Sequence, residues 1–85
     1  METIKFINIC IDRILEYTND TLGYNITKED IYEVWNCKTL QNNKALLATT
    51  VSDGMYYECT YNGDKKELYF DAYKKCTNIC FSDIQ

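Results

Sequence analysis

The stretch Leu47-Ala48-Thr49-Thr50-Val51-Ser52-Asp53-Gly54-Met55-Tyr56-Tyr57-Glu58-Cys59-Thr60-Tyr61-Asn62-Gly63-Asp64-Lys65-Lys66-Glu67-Leu68-Tyr69-Phe70-Asp71-Ala72 decides the architecture. Two turn signals, Ser52-Asp53-Gly54 and Asn62-Gly63-Asp64-Lys65, separate short aromatic-rich runs of strand length, the pattern of an antiparallel meander. A three-residue loop ending in a left-handed glycine pairs Val51 with Met55, Thr49 with Tyr57 and Leu47 with Cys59. A four-residue loop at Asn62-Gly63-Asp64-Lys65 pairs Cys59 with Leu68, Tyr57 with Phe70 and Met55 with Ala72, so one face stays apolar across three strands. The competing two-residue Asn62-Gly63 turn would set Glu58 against Glu67 and put the apolar faces out of phase, which a half-buried sheet does not tolerate.

Upstream, a three-residue loop at Gln41-Asn42-Asn43 adds a first strand over residues 32–39, pairing Cys37 with Leu47 and Trp35 with Thr49. Residues 2–19 carry helical spacing, with Ile4, Ile7, Ile11, Ile14, Leu15 and Thr18 on one stripe and Phe6, Cys10 and Tyr17 on its shoulder. Ile9 falls among Lys5, Asp12 and Glu16 on the side that should meet water, a candidate second contact for a partner. Asn19-Asp20 and Gly23 end the helix, and Thr27-Lys28-Glu29-Asp30 resembles a weak capping box for one short turn before the sheet. After Phe70, Ala72, Cys76, Ile79 and Cys80 recur at i, i+4, i+7 and i+8, which favours a short C-terminal helix over a longer strand. The fold expected is α+β: an N-terminal helix packed on a three- to four-stranded antiparallel β-meander, in one small domain over residues 1–85.

Composition narrows the function classes. The chain is 46% hydrophobic and holds eight tyrosines, too much apolar and aromatic mass for a disordered acidic tail. Its net charge of −4 repels phosphate backbones and favours neutral or basic partners, so nucleic acid is a disfavoured ligand. No apolar stretch approaches a membrane span, and the start Met1-Glu2-Thr3-Ile4-Lys5-Phe6 lacks the features of a signal peptide. A cytoplasmic location is expected, where Cys10, Cys37, Cys59, Cys76 and Cys80 are thiols and the Asn25-Ile26-Thr27 sequon carries no meaning. In the expected register Cys37 and Cys59 flank Leu47 at two strand spacings, roughly 9.5 Å, too far for a disulfide. With no Cys-x-x-Cys and no histidine, the cysteines read as small buried hydrophobes and no metal or cofactor is expected.

Catalysis is not expected either. Glu58 and Asp71 share a sheet face near Tyr56 and Tyr69, but no nucleophile motif or phosphate-binding glycine loop accompanies them. The same residues mark the more informative surface. If the inner rows face the helix, the outer rows are Thr50, Tyr56 and Asp71; Ala48, Glu58 and Tyr69; and Leu46, Thr60 and Glu67. Tyrosine offers contact area with little entropy to lose, and carboxylates steer basic surfaces, so Tyr56, Glu58, Tyr69 and Asp71 are the candidate protein-binding residues. An ordinary solvated sheet face, rich in tyrosine and threonine for strand propensity alone, is the competing reading.

The run Val34-Trp35-Asn36-Cys37-Lys38-Thr39-Leu40-Gln41-Asn42-Asn43-Lys44-Ala45-Leu46-Leu47-Ala48-Thr49-Thr50 resembles a known family, as do Asp53-Gly54-Met55-Tyr56-Tyr57-Glu58, Thr60-Tyr61-Asn62-Gly63-Asp64-Lys65 and Asp71-Ala72-Tyr73-Lys74-Lys75. It is a family of small uncharacterised proteins, a domain of unknown function, from phages and prophages of Gram-positive bacteria. The likeness spans residues 30–75 and brings no catalytic or binding residues with it. It implies a setting in which a small protein works by binding a host or phage protein, with inhibition of a host defence system, anti-CRISPR activity included, as the sharpest form. A structural or self-associating role, with a homodimer, and a nucleic-acid-associated role are the alternatives. Lys65, Lys66, Lys74 and Lys75 are the only basic concentration available to the last.

Overall fold

Helix α1 runs from Thr3 to Glu16. The computed structural model describes residues 1–84. Five isoleucines among fourteen residues are poor helix formers, because β-branching costs χ1 freedom, so α1 depends on what it packs against. The Glu2 carboxylate accepts the Ile4 N–H at 3.2 Å, a negative charge at the positive end of the helix dipole. At the other end the helix widens into a π-turn over Tyr17–Thr21, with the Leu22 N–H reaching the Tyr17 carbonyl at 3.2 Å. Gly23 then takes φ +80°, letting the Tyr24 N–H close on the Thr18 carbonyl.

The buried line of the helix is Phe6, Cys10, Ile14 and Thr18, successive fourth residues on one face, with Ile7, Ile11 and Leu15 half-buried beside it. The helix is therefore rotated from the expected stripe toward its aromatic and cysteine shoulder, and Ile4 is left 70% exposed. A short 3₁₀ turn at Lys28–Asp30 follows, its Asp30 carboxylate accepting the Thr27 N–H at 3.0 Å and the Thr50 hydroxyl at 3.1 Å.

Strands β1 (Ile31–Thr39), β2 (Asn42–Thr49), β3 (Met55–Asn62) and β4 (Glu67–Lys74) form one antiparallel sheet in sequential order, the expected meander. Each register differs in detail. Leu47 pairs with Tyr57 and Ala45 with Cys59, two residues from expectation, because the loop is longer. In that loop the Thr49 hydroxyl takes the Val51 N–H and the Asp53 carboxylate takes the Met55 N–H, so neither amide joins the ladder. Tyr57 pairs with Ala72 and Cys59 with Phe70, again shifted by two: the four-residue loop is Gly63–Lys66, and the Asn62 side chain holds the Asp64 and Lys65 N–H groups. Even shifts leave every side chain on its expected face.

The β1–β2 register is the exception. The connection is a two-residue turn, Leu40-Gln41, with Leu40 at φ +55°, so the offset is odd and the tip of β1 is turned over. Trp35 lies opposite Leu46 and Cys37 opposite Lys44, both on the outer face instead of the core row expected for them. A bulge at Val34 inserts one residue and restores the inner face for Ile31, which is buried against the helix. The expected C-terminal helix is absent as well. Strand β4 continues to Lys74, the Lys75 N–H closes on the Gly54 carbonyl at 2.7 Å, and residues 76–84 leave the sheet without helical structure. A helix that short needs a surface to pack on, and none lies beneath it.

Phe6, Cys10 and Ile14 pack on Ile31, Ala45, Leu47, Tyr57 and Cys59. Tyr57 is fully buried, its ring edge-on to Tyr17 at 5.9 Å and stacked with Phe70 at 5.7 Å, and its hydroxyl accepts from Thr18 at 3.4 Å. The hydrogen bond it shares with Cys59, together with burial, pushes the Cys10 thiol well above its ordinary range, so Cys10 stays protonated and packs as a small apolar side chain. The molecule is a slab, 42 × 40 × 19 Å, with a radius of gyration of 14.4 Å against about 12 Å for a compact domain of this length.

Two consequences are measurable. A Cβ at Gly63 would overlap the Gln41 carbonyl and side chain, where the two hairpin tips meet through Gln41 Nε2–Asp64 Oδ1 (2.7 Å) and Gly63 N–Asn42 Oδ1 (2.9 Å). Gly63→Ala is expected to cost about 1–3 kcal/mol in urea unfolding. Burial also raises the Tyr57 phenol above its ordinary 10.0, so the stability it confers is present below that pH and lost as pH climbs through the folded value. Tyr57→Phe should cost about 0.5–1.5 kcal/mol at neutral pH by orphaning the Thr18 hydroxyl, yet unfold at a higher alkaline midpoint than the parent.

Candidate functional site

Among the described residues no helix lies over the outer face of the sheet. Its rows, read from β1 to β4, are Tyr32, Ala48, Tyr56 and Tyr73; Trp35, Leu46, Glu58 and Asp71; Cys37, Lys44, Thr60 and Tyr69; and Thr39, Asn42, Asn62 and Glu67. Tyr56, Glu58, Tyr69 and Asp71 all lie on this face, as the strand alternation requires. Their neighbours differ from expectation because of the two-residue shift. Glu58 stands directly opposite Asp71, Tyr56 opposite Tyr73, and Tyr69 opposite Thr60. Ile9 is on α1, across the sheet from these residues, and is half-buried instead of water-facing.

The face divides into two halves of different chemistry. On β3 and β4 sits an acidic, tyrosine-bearing band. Lys44 Nζ reaches Glu58 Oε1 at 3.5 Å, while Asp71, exposed, makes no ion pair among the described residues. The Tyr69 hydroxyl donates to Glu67 Oε1 at 3.4 Å, and the Lys75 ammonium lies 5.6 Å from the centre of the Tyr56 ring. Facing carboxylates on adjacent strands repel, a local cost that the fold does not require and that a cationic partner would relieve.

On β1 and β2 sits an uncharged strip. Tyr32, Val34 and Trp35 are 51%, 46% and 41% exposed, with Leu46 half-buried beside them and Ala48 buried between the rows. Sequence reasoning missed this strip because the β1 register placed Trp35 in the core. Tyr73 was hidden by the helix expected there. A two-residue turn at Leu40-Gln41 would have placed Trp35 outside, but neither residue favours the left-handed conformation that Leu40 adopts, so no local signal pointed to it.

The cysteines separate in the same way. Cys10 and Cys59 are buried, while Cys37, Cys76 and Cys80 are exposed, contrary to the expectation of buried thiols. Among the described residues no group of three or more Cys, Asp or Glu is placed to hold a metal ion. A groove of about 240 Å³ opens between Arg13, Glu16, Tyr17, Asp20, Thr21 and Phe70, below the ~300–1,000 Å³ of small-molecule sites. No described helix is long and apolar enough to cross a membrane.

The electrostatic arrangement is testable without a partner. Neutralising Asp71 with Asp71→Asn should stabilise the domain by about 0.2–1 kcal/mol at low salt, and Lys44→Ala should destabilise it by a similar amount. Both differences should shrink in urea melts at high salt.

Neither a curated protein nor a solved structure matches the chain. A family model does match, over residues 7–83, which takes in the last three turns of α1, the whole sheet with both halves of its open face, and most of the C-terminal segment. The chain belongs to that family, described as a family of unknown function (DUF6275).

Proposed function

We propose that this chain is a non-catalytic protein-binding module, a phage or prophage accessory protein that engages a host or phage protein through the β3–β4 half of its open sheet face. The observation that carries the reading is the Glu58–Asp71 pair, two carboxylates opposite one another between tyrosines on a surface that none of the other described residues covers. Proteins seldom keep like charges paired across strands for stability, whereas a basic partner would convert the repulsion into attraction. Tyr56 and Tyr69 supply flat, amphipathic contact area on either side. The resemblance to phage and prophage proteins adds the setting, in which inhibition of a host defence complex is the sharpest form of the role. Lys44, Lys74 and Lys75 do not gather into a track on this face, which counts against a phosphate backbone as ligand.

The experiment is affinity capture of the tagged protein from the bacterium that carries it, then titration of each purified captured protein against the parent and the Tyr56→Ala/Glu58→Ala/Tyr69→Ala/Asp71→Ala variant. A partner whose affinity falls at least tenfold in the variant, with weaker binding in high salt, is the expected result. Equal affinity for a normally folded variant would overturn the assignment of this face.

A further inference from the structure

We propose that two copies of this chain exchange their C-terminal arms, residues 76–84 of each lying on the Tyr32–Val34–Trp35–Leu46 strip of the other. The inference goes beyond the binding role above, since it uses the β1–β2 half of the outer face and leaves the β3–β4 band free. Four observations converge on it.

The first is the arm itself. It leaves β4 after the Lys75–Gly54 hydrogen bond, and its large side chains face water: Ile79 is 63% exposed, Phe81 74% and Ile84 78%. An apolar segment of this kind is poorly suited to be a solvated tail, which would be rich in charge, serine and glycine. All of it except Ile84 falls within the residues that the family model matches, which makes most of the arm part of the family's common unit.

The second is the receiving surface. The strip is uncharged and aromatic, and Cys76 to Ile84 carries a single charge, Asp83, so apolar matches apolar. The third is the route. The arm starts at the β4 edge, and its own strip lies at the β1 edge, three strand spacings or roughly 14 Å away. To reach it within one chain, the arm would have to turn off the end of β4 and run across Tyr73, Tyr56 and Ala48, and it does not: Ile79, Phe81 and Ile84 stay exposed. A second copy can present its strip directly, and reciprocal exchange about a two-fold axis closes the assembly.

The fourth is area. The chain exposes 6067 Å², while a compact monomer of 10.0 kDa exposes about 5,200 Å². The excess is close to the ~800 Å² that each partner contributes to a standard interface.

Light scattering on a sizing column across a dilution series should give twice the chain mass at the upper concentrations. Truncation after Lys75 and, as a full-length check on folding, Phe81→Ser should both give the single mass. Trp35 is the only tryptophan, so dissociation should also shift its emission to the red. Oxidised glutathione provides a positional test, because Cys37 adjoins the strip and Cys76 and Cys80 lie on the arm. Exchange predicts a disulfide from Cys37 to Cys76 or Cys80 that doubles the mass on a denaturing gel. A single mass at every concentration, a doubled mass that survives truncation, or a Cys37-to-arm disulfide formed within one chain would each overturn the proposal. None of these readouts depends on whether the β3–β4 band binds another protein.

Discussion

The seam between α1 and strands β2 and β3 is the interaction on which everything else rests. Along it, Phe6, Cys10, Ile14 and Thr18 meet Ala45, Leu47, Tyr57 and Cys59, all fully or nearly fully buried. The small residues at its centre, Cys10, Ala45 and Cys59, allow close approach of helix to sheet. The large ones, Phe6 and Tyr57, fill the space where the two surfaces diverge. Tyr57 joins three parts of the fold at once, stacking on Phe70 from β4, meeting Tyr17 edge-on and holding the Thr18 hydroxyl. A helix built from isoleucines has little intrinsic reason to persist without that seam.

One helix about 10 Å wide cannot cover four strands spaced nearly 5 Å apart. The middle of the inner face is dry as a result, while its margins thin out: Leu68 and Phe70 are half-buried and Ala72 is exposed. The outer face receives no cover from the described residues. Both edges of the sheet are unpaired among the described residues, and each carries a feature that discourages uncontrolled strand addition, the Val34 bulge on β1 and Lys74 with Lys75 at the end of β4. The largest uncovered surface among the described residues is therefore a face of the sheet. Its chemistry is split between an acidic tyrosine band and an aromatic strip because β1 arrives through a bulge with its aromatic residues turned outward.

Polar side chains in the loops set the registers. Thr49, Asp53 and Asn62 each capture backbone N–H groups close to their own position, and these local bonds lengthen one loop and move the other by a residue. The tips of the two hairpins on the same end of the sheet are then tied together through Gln41, Asn42, Gly63 and Asp64. Gly63 is required there for proximity, since any side chain would occupy the space of the Gln41 carbonyl.

The sequence alone was enough for the α+β class, the strand order and the faces of the central residues of β2, β3 and β4, Tyr56, Glu58, Tyr69 and Asp71 included. Alternation has a period of two, and errors of two residues in register leave it intact. Only the tertiary structure decided which residues stand side by side, Glu58 with Asp71 and Tyr56 with Tyr73, because loop length depends on side-chain hydrogen bonds that composition does not reveal. It decided the rotation of α1, where packing against Ala45 and Cys59 drew Cys10 inward and left Ile4 in water. It also decided the fate of Trp35, Cys37 and the C-terminal segment. A left-handed Leu40, a one-residue bulge and the lack of any surface beneath residues 76–84 are non-local outcomes, and helical periodicity in that segment had nothing to pack against.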